Sequence, residues 1–258
     1  MNATFLVYGL ATGLIRPGDS LFERLIAVAD ASDATGFRDG DILVLAETMI
    51  ATVEGNVIRL DDIVPTPRAR QYAERYDMDP RVVEVVLNES DSIVGGIPGF
   101  LLSMKAGTLL PNAGVDASNA PPGCVTPLPK DPDGTARTIQ SEIGQRCNAK
   151  IGVIIADSRT HAMRLGCSGV AIGCAGIPSV LDDRGRCDLY GRKLEVTKRA
   201  VADNIASAAE LVMGEADECV PAAIVRGLGL PIGDQVGVDS IAADECLFMG
   251  VMRRQCGN

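Results

Sequence analysis

Apolar positions along this chain change their period several times, and each change marks an element. Thr4 to Tyr8 reads as a strand, followed by the loop Gly9-Leu10-Ala11-Thr12-Gly13. Leu21, Leu25, Val28 and Ala29 then recur at helical spacing. Ser20-Leu21-Phe22-Glu23 predicts a capping box there, with the serine oxygen serving a free backbone N–H and the glutamate reaching back. Ile42 to Leu45 is a short continuous apolar strand, and its exit carries Glu47 and Thr48. Open α/β folds gather ligands at such exits.

Thr66-Pro67 and Asp79-Pro80 each pair a capping residue with a first-turn proline, predicting helices over 67–77 and 80–89. Val82, Val83, Val86 and Leu87 give the second a buried face. Gly95, Gly96, Pro98 and Gly99 predict a loop. Phe100–Met104 and Thr108–Leu110 predict a hairpin about Gly107. Five prolines between Pro121 and Pro132 make the next stretch extended, and Asp131-Pro132 opens a helix to about Arg146.

Ile151 to Ala156 predicts a buried strand ending at Asp157. Gly166, Gly169, Gly173 and Gly176 permit close backbone approach in the stretch that follows. Ala200 to Gly214 predicts the clearest helix, with a stripe of Val201, Ile205, Ala208 and Val212 and a C-terminal glycine. Cys219 to Val225 predicts a strand and Ser240 to Arg254 a terminal helix. Strands alternate with helices, which argues α/β. The central hairpin argues against an all-parallel sheet, so the expectation is a mixed sheet of α+β character.

Composition narrows the function. The 258 residues are 47% hydrophobic, ample for a core, but only 3% aromatic with no Trp, too few for a base-stacking surface. A formal charge of -10 argues against a broad basic face for nucleic acid. No apolar run is long enough to span a membrane, and Met1 to Ile15 lacks a basic leader. The eight cysteines form no C-x-x-C pair, and the Cys167/Cys174 spacing matches no standard ligand set. The expectation is a soluble, cytoplasmic protein with reduced thiols and small-molecule substrates.

Candidate chemistry concentrates in Asn112-Ala113-Gly114-Val115-Asp116-Ala117-Ser118-Asn119 and Ala156-Asp157-Ser158-Arg159-Thr160. Mg2+ takes one or two carboxylates together with phosphate oxygens and waters, a role open to Asp116 and Asp157. Ser158 offers a hydroxyl, Asn119 an amide, and Glu215 a third carboxylate. From the residues alone, each aspartate also fits an ordinary turn or cap. The only histidine, His161, makes no zinc motif and reads as a loop residue. Arg159, Arg164, Arg184, Arg186, Arg192, Lys193, Lys198 and Arg199 suit an anion site, or a solvated segment partnered by Asp182, Asp183 and Asp188.

Taken together the motifs resemble one family. Asn112–Asn119 is similar to its N-A-G-I/V-D-x-S-N signature, and Leu128-Pro129-Lys130-Asp131-Pro132-Asp133 to its P-x-D-P-D segment. Gly169-Val170-Ala171-Ile172-Gly173, Asp188-Leu189-Tyr190-Gly191-Arg192, Met213-Gly214-Glu215 and Val225-Arg226-Gly227 follow in family order. The chain is identified, from about Gly9 to Gly229, as a member of the coenzyme F-420-0:L-glutamate ligase, or F-420 gamma-glutamyl ligase, family.

The resemblance implies a two-lobed α/β chain in an intertwined homodimer, divided near 1–90 with 195–258 and 91–194. It implies that L-glutamate is joined to the lactyl carboxylate of the deazaflavin F-420-0, with GTP and Mg2+ or Mn2+. Asp116 and Asp157 would hold one metal. Ser158, where the family usually has Thr, would touch a second metal with Glu215. Asn119 would contact the nucleotide. Leu10, Ala11, Thr12, Gly13, Leu14, Ile15, Glu47, Thr48 and the turn through Met213 and Gly214 would line its pocket. Thr52 stands where the family has a lysine near the phosphates, and Arg159 is the cation that would compensate in part. These departures leave open two alternatives: a paralogous ligase for another cofactor or pterin carboxylate, using ATP or GTP, and a non-catalytic nucleotide-binding protein.

Overall fold

The structure, a computed structural model, describes residues 4–256, the side chains of 252–256 excepted. In chain order the elements begin with β1 (Leu6–Leu10), α1 (Leu21–Ala31), β2 (Ile42–Ala46), α2 (Glu47–Val53), β3 (Ile58–Arg59), α3 (Pro67–Tyr76) and α4 (Pro80–Glu89). Next come β4 (Ser92–Ile97), β5 (Phe100–Lys105), β6 (Thr108–Pro111), β7 (Cys124–Val125), α5 (Pro132–Cys147), β8 (Gly152–Thr160) and β9 (Cys167–Ala175). The chain closes with β10 (Val180–Asp182), β11 (Lys198–Ala200), α6 (Val201–Met213), β12 (Ala222–Arg226) and α7 (Leu247–Cys256).

The chain divides into two compact units, one of residues 1–56 with 129–238 and one of 57–128 with 239–258. The lobes expected from sequence cut across this division. Among the described residues no helix is long and apolar enough to cross a membrane.

Unit one is built on a five-stranded sheet in the order β1-β12-β2-β8-β9. Only β2 and β8 pair in parallel; the other neighbours are antiparallel, so the sheet is mixed as expected. The apolar run of β2 has a direct cause. Leu43 and Leu45 belong to one buried cluster with Leu25 of α1, Ile50 of α2 and Ile139 of α5, whereas Ile42 and Val44 belong to another with Ile205 of α6. A strand covered on both faces gains from apolar residues at every position.

Unit two carries the meander β4-β5-β6, the short pair β3 and β7, and helices α3 and α4. Ala69, Ala73, Val83, Val86, Leu101 and Val125 form its core. Both helices start as predicted: Thr66 accepts from the Ala69 N–H at 3.2 Å and Asp79 from the Arg81 N–H at 2.8 Å, each followed by proline.

Several expectations need correction. Ser20 makes no side-chain cap at α1. The approach to α1 is held instead by Arg24, which donates to the Thr12 carbonyl at 2.9 Å and pairs with Asp19. Gly95 and Gly96 lie inside β4 rather than in a loop. Terminal helix α7 starts at Leu247, not Ser240. On α6 the buried stripe is Val201, Ala202, Ile205, Ala206 and Ala209, while Val212 is exposed.

The glycine-rich stretch from Gly166 is mostly strand β9, and Asp157 lies within β8, which pairs on to Thr160. The backbone approached there is α6 itself. A Cβ on Gly169 would stand 2.6 Å from the Ala206 carbonyl carbon and oxygen, closer than real atoms come. The Ser207 hydroxyl donates to the Gly169 carbonyl at 2.8 Å across this contact.

Candidate functional site

In unit one the parallel register of β2 and β8 pairs Ala46 with Ala156. The next residues, Glu47, where the chain leaves β2, and Asp157, still within β8, therefore stand at the same level. Glu47 is also the first residue of α2, where the helix dipole favours an anion. The Thr48 hydroxyl donates to Glu47 Oε1 at 2.6 Å. Burial, then repulsion from Asp157, push the Glu47 carboxyl up to about 7.

Glu215 reaches the same cluster from the other side. Helix α6 ends at Gly214, whose φ of 75° is a left-handed conformation that favours glycine. A side chain there would also strike the Glu218 carboxylate, 2.4 Å from an added Cβ. The chain turns at this glycine and presents Glu215. Burial, a hydrogen bond shared with Glu210, and the charges of Glu210 and Asp157 push the Glu215 carboxyl up to about 7; a hydrogen bond with Ser158 acts against them.

Two members of this cluster were not read from the sequence. Glu210 of α6 and Cys167 of β9 bring ligand atoms within 4.8 Å of one another and of Glu215. The Cys167 thiol is pushed up by burial and by Glu215 and Glu210, which keeps it protonated. No motif marks either residue; only the packing of α6 on β9 brings them together.

Glu210, Glu215 and Cys167 hold ligand atoms within 4.8 Å of one another, and Glu215 also interacts with Asp157 and Ser158, as Glu47 does with Asp157. The carboxylates and the Ser158 hydroxyl are hard oxygen donors. Glu47 and Glu215 are pushed up first by burial and then by neighbouring carboxylates, and a hard divalent cation would supply the positive charge that favours their ionised forms. The donor set therefore fits Mg2+ or Mn2+.

Arg159 is the cation this chain places there. Its Nε donates to Asp157 Oδ2 at 2.9 Å, and the two side chains are 13% and 15% exposed. Thr52 turns inward on α2, donating to the Thr48 carbonyl at 2.7 Å.

The expected nucleotide loop follows β1 in the same unit. Leu10, Thr12 and Ile15 are buried, while Ala11, Gly13 and Leu14 are exposed. Thr12 donates its hydroxyl to the Gly13 carbonyl at 2.9 Å and receives Arg24 on its own carbonyl. Met213 packs partly buried against the α6 side of the core.

Asp116 and Asn119 lie in unit two. Asp116 is exposed, bridges to Thr126 through two backbone hydrogen bonds, and accepts from the Ser118 N–H at 2.8 Å. The buried Ser103 hydroxyl accepts from the Ala113 N–H at 2.8 Å, and Asn112 Oδ1 accepts from the Leu101 N–H at 2.9 Å. Asn112 thus anchors the segment that delivers Asp116, with Asn112 and Ala113 at φ 50° and 54°.

His161 sits at the exposed end of the β8–β9 hairpin, its Nε2 2.7 Å from the Ser168 hydroxyl. Of the basic group, Arg184 pairs with Asp182, Arg186 and Arg199 with Asp183, and Arg192 with Asp188. For these four, the solvated-segment reading holds.

Comparison with known proteins shows the family. The family model described as F420-0:Gamma-glutamyl ligase matches residues 9–227. A coenzyme F420:L-glutamate ligase of Methanopyrus kandleri is 47% identical over 215 residues, 83% of either chain. That of Methanothermobacter thermautotrophicus is 44% identical over 83% of this chain and 85% of its own. The Archaeoglobus fulgidus ligase is 41% identical over 88% of both. The chain belongs to the F420-0:gamma-glutamyl ligase family, and as a member it is an amide-bond-forming ligase.

Proposed function

We propose that this ligase joins L-glutamate to the carboxylate of the deazaflavin F-420-0, driven by GTP and assisted by Mg2+ or Mn2+. The observation that carries the reading is the convergence of Glu47, just past β2, Asp157 and Ser158, within β8, and Glu215, just past α6. Asp157, Ser158 and Glu215 are the ligands taken from unit one. Asp116 keeps the metal-ligand role, and Asn119 the nucleotide role, that the family motif carries.

A carboxylate does not react with an amine until it has a leaving group. Transfer of the nucleotide γ-phosphoryl to the F-420-0 carboxylate makes an acyl phosphate; the glutamate amine then attacks its carbonyl carbon and phosphate departs. A bound divalent ion neutralises charge on the transferring phosphoryl group. The chain's own residues hold the geometry. The loop from Leu10 to Ile15, with Glu47, Thr48, Met213 and Gly214, surrounds the nucleotide, and Arg159 supplies the guanidinium. We further assign the protein a homodimeric state and a cytoplasmic location, following the family resemblance.

Purified protein given GTP, Mn2+, L-glutamate and F-420-0 should yield the glutamylated coenzyme, detected by mass. Folded protein that binds Mn2+ and gives no such product would sink the substrate assignment. One observation favours a second reading within the same chemistry. Thr52, which replaces the expected lysine, is turned onto its own helix, so the phosphate surroundings differ from the family pattern. ATP, or another cofactor carboxylate, then becomes the substrate to test, and thermal shifts with GTP or ATP plus Mn2+ separate the nucleotides.

A further inference from the structure

Asp157 and Arg159 are two apart on β8, so their side chains leave the same face of the strand. The Arg159 Nε–H occupies a lone pair of Asp157 Oδ2 at 2.9 Å, and both groups are largely withdrawn from water. Asp157 is also the carboxylate whose charge reaches both Glu47 and Glu215. Arg159 is therefore paired with the one carboxylate whose charge acts on both Glu47 and Glu215.

We propose that Arg159 is the resident counter-cation of Asp157 and competes with the divalent ion for that carboxylate, setting the metal concentration at which the site fills. This rests on the metal reading given above. Two consequences follow from elementary electrostatics. An incoming ion that ligates Asp157 either displaces the Nε–H from Oδ2 or ligates a carboxylate already neutralised in part by Arg159. In either case a guanidinium and a dication share one small, poorly hydrated region, where like charges repel strongly. The metal-free protein gains in return, because Asp157 is never left without positive charge.

The test is Mn2+ binding by the full chain, measured by calorimetry and by electron paramagnetic resonance of free Mn2+, with no nucleotide or substrate. Arg159→Gln should bind Mn2+ about ten-fold more tightly than the wild type, and its metal-free melting temperature should fall. Arg159→Lys, which keeps the charge, should stay near the wild-type affinity. Unchanged or weaker binding by Arg159→Gln would overturn the proposal. In the wild-type protein, free of any folding defect, the Arg159 Nε–H nuclear resonance should shift in step with Mg2+ saturation; a resonance unmoved at saturation also overturns it. Asp157→Asn separates the two levels of argument. If it loses Mn2+ while Arg159→Gln matches the wild type, only the competition falls. If the wild type binds no Mn2+, the metal reading falls and this proposal with it.

Discussion

Arg226 grips Asp41 with both arms of its guanidinium. Nε donates to Oδ1 and Nη2 to Oδ2, each at 2.7 Å. The remaining donors go to the carbonyls of Ala34 and Gly36, and the plane lies 5.4 Å from the centre of the Tyr8 ring. Asp41 is fully buried and also accepts from the Arg38 N–H at 2.8 Å. One side chain of β12 thereby pins the turn that feeds β2, three strands' worth of sheet around one ion pair. Removing one partner of a buried pair strands the other, at a cost of about 3–5 kcal/mol. Asp41→Ala and Arg226→Ala should each show that loss in urea unfolding. Arg226→Lys should recover little, because an ammonium cannot reproduce the fork.

Gly169 links packing to the site. An added methyl would collide with the backbone of Ala206, which cannot swing aside as a flexible side chain would. Gly169→Ala should cost about 1–3 kcal/mol. It should also displace the end of α6 that carries Glu210 and leads to Glu215. The Mn2+ concentration for half-saturation should therefore rise even where the variant remains folded. A stability loss with unaltered Mn2+ binding would separate α6 position from the site.

Much of this was legible in the sequence, for local reasons. The capping residues Thr66, Asp79 and Asp131 each precede a proline, and each caps a helix as read. Asp157, Ser158 and Glu215 were legible through motif order. Glu47 was visible as a strand exit and, through the resemblance, as a nucleotide-pocket residue; its pairing with Asp157 depends on the β2–β8 register, which no local pattern encodes. Cys167 and Glu210 were missed because they meet through tertiary packing. The close backbone approach read from the β9 glycines is real, but its partners, Ala206 of α6 for Gly169 and Pro132 of α5 for Gly173, are fixed by tertiary packing. Arg226 and Asp41 lie 185 residues apart, beyond any periodicity.

The β10–β11 ribbon should be the acid-sensitive part of unit one. Hydrogen bonds from Arg184 pull the Asp182 carboxyl down to about 2, and Arg199 and Arg186 lower that of Asp183. Backbone and Arg192 donors lower that of Asp188. A carboxylate lowered on folding stabilises the fold above its unfolded value near 3.8, and that contribution is lost as the pH falls towards 2. Between pH 4 and 2, hydrogen exchange at Asp183, Gly185 and Leu194, corrected for intrinsic rates, should accelerate before that of β2 and β8. Asp182→Asn should flatten the dependence at its own end of the ribbon.

Asp157→Asn should abolish nucleotide turnover while the fold survives. The substitution keeps the shape, removes a charge that repels Glu47 and Glu215, and takes away a proposed metal ligand. Loss of a transition-state electrostatic contact costs about 100–1000-fold in rate. Single-turnover phosphate release, with circular dichroism as the control for folding, measures both halves. Near-normal turnover would contradict the metal role.

Ser158 gives the sharpest contrast between hydroxyl and carbon. Its hydroxyl bonds to Glu215, the only other metal ligand proposed for the second ion. Ser158→Ala removes that oxygen from a small donor set, and the Mn2+ concentration for half-maximal turnover should rise about ten-fold. Ser158→Thr restores the residue usual in the family. It keeps the oxygen and adds a β-branched carbon, which suits a strand position such as β8. It should therefore match the wild type in metal dependence and equal or exceed it in thermal stability. If Ala and Thr behave alike in the Mn2+ titration, Ser158 supports the strand and contributes nothing to the ion.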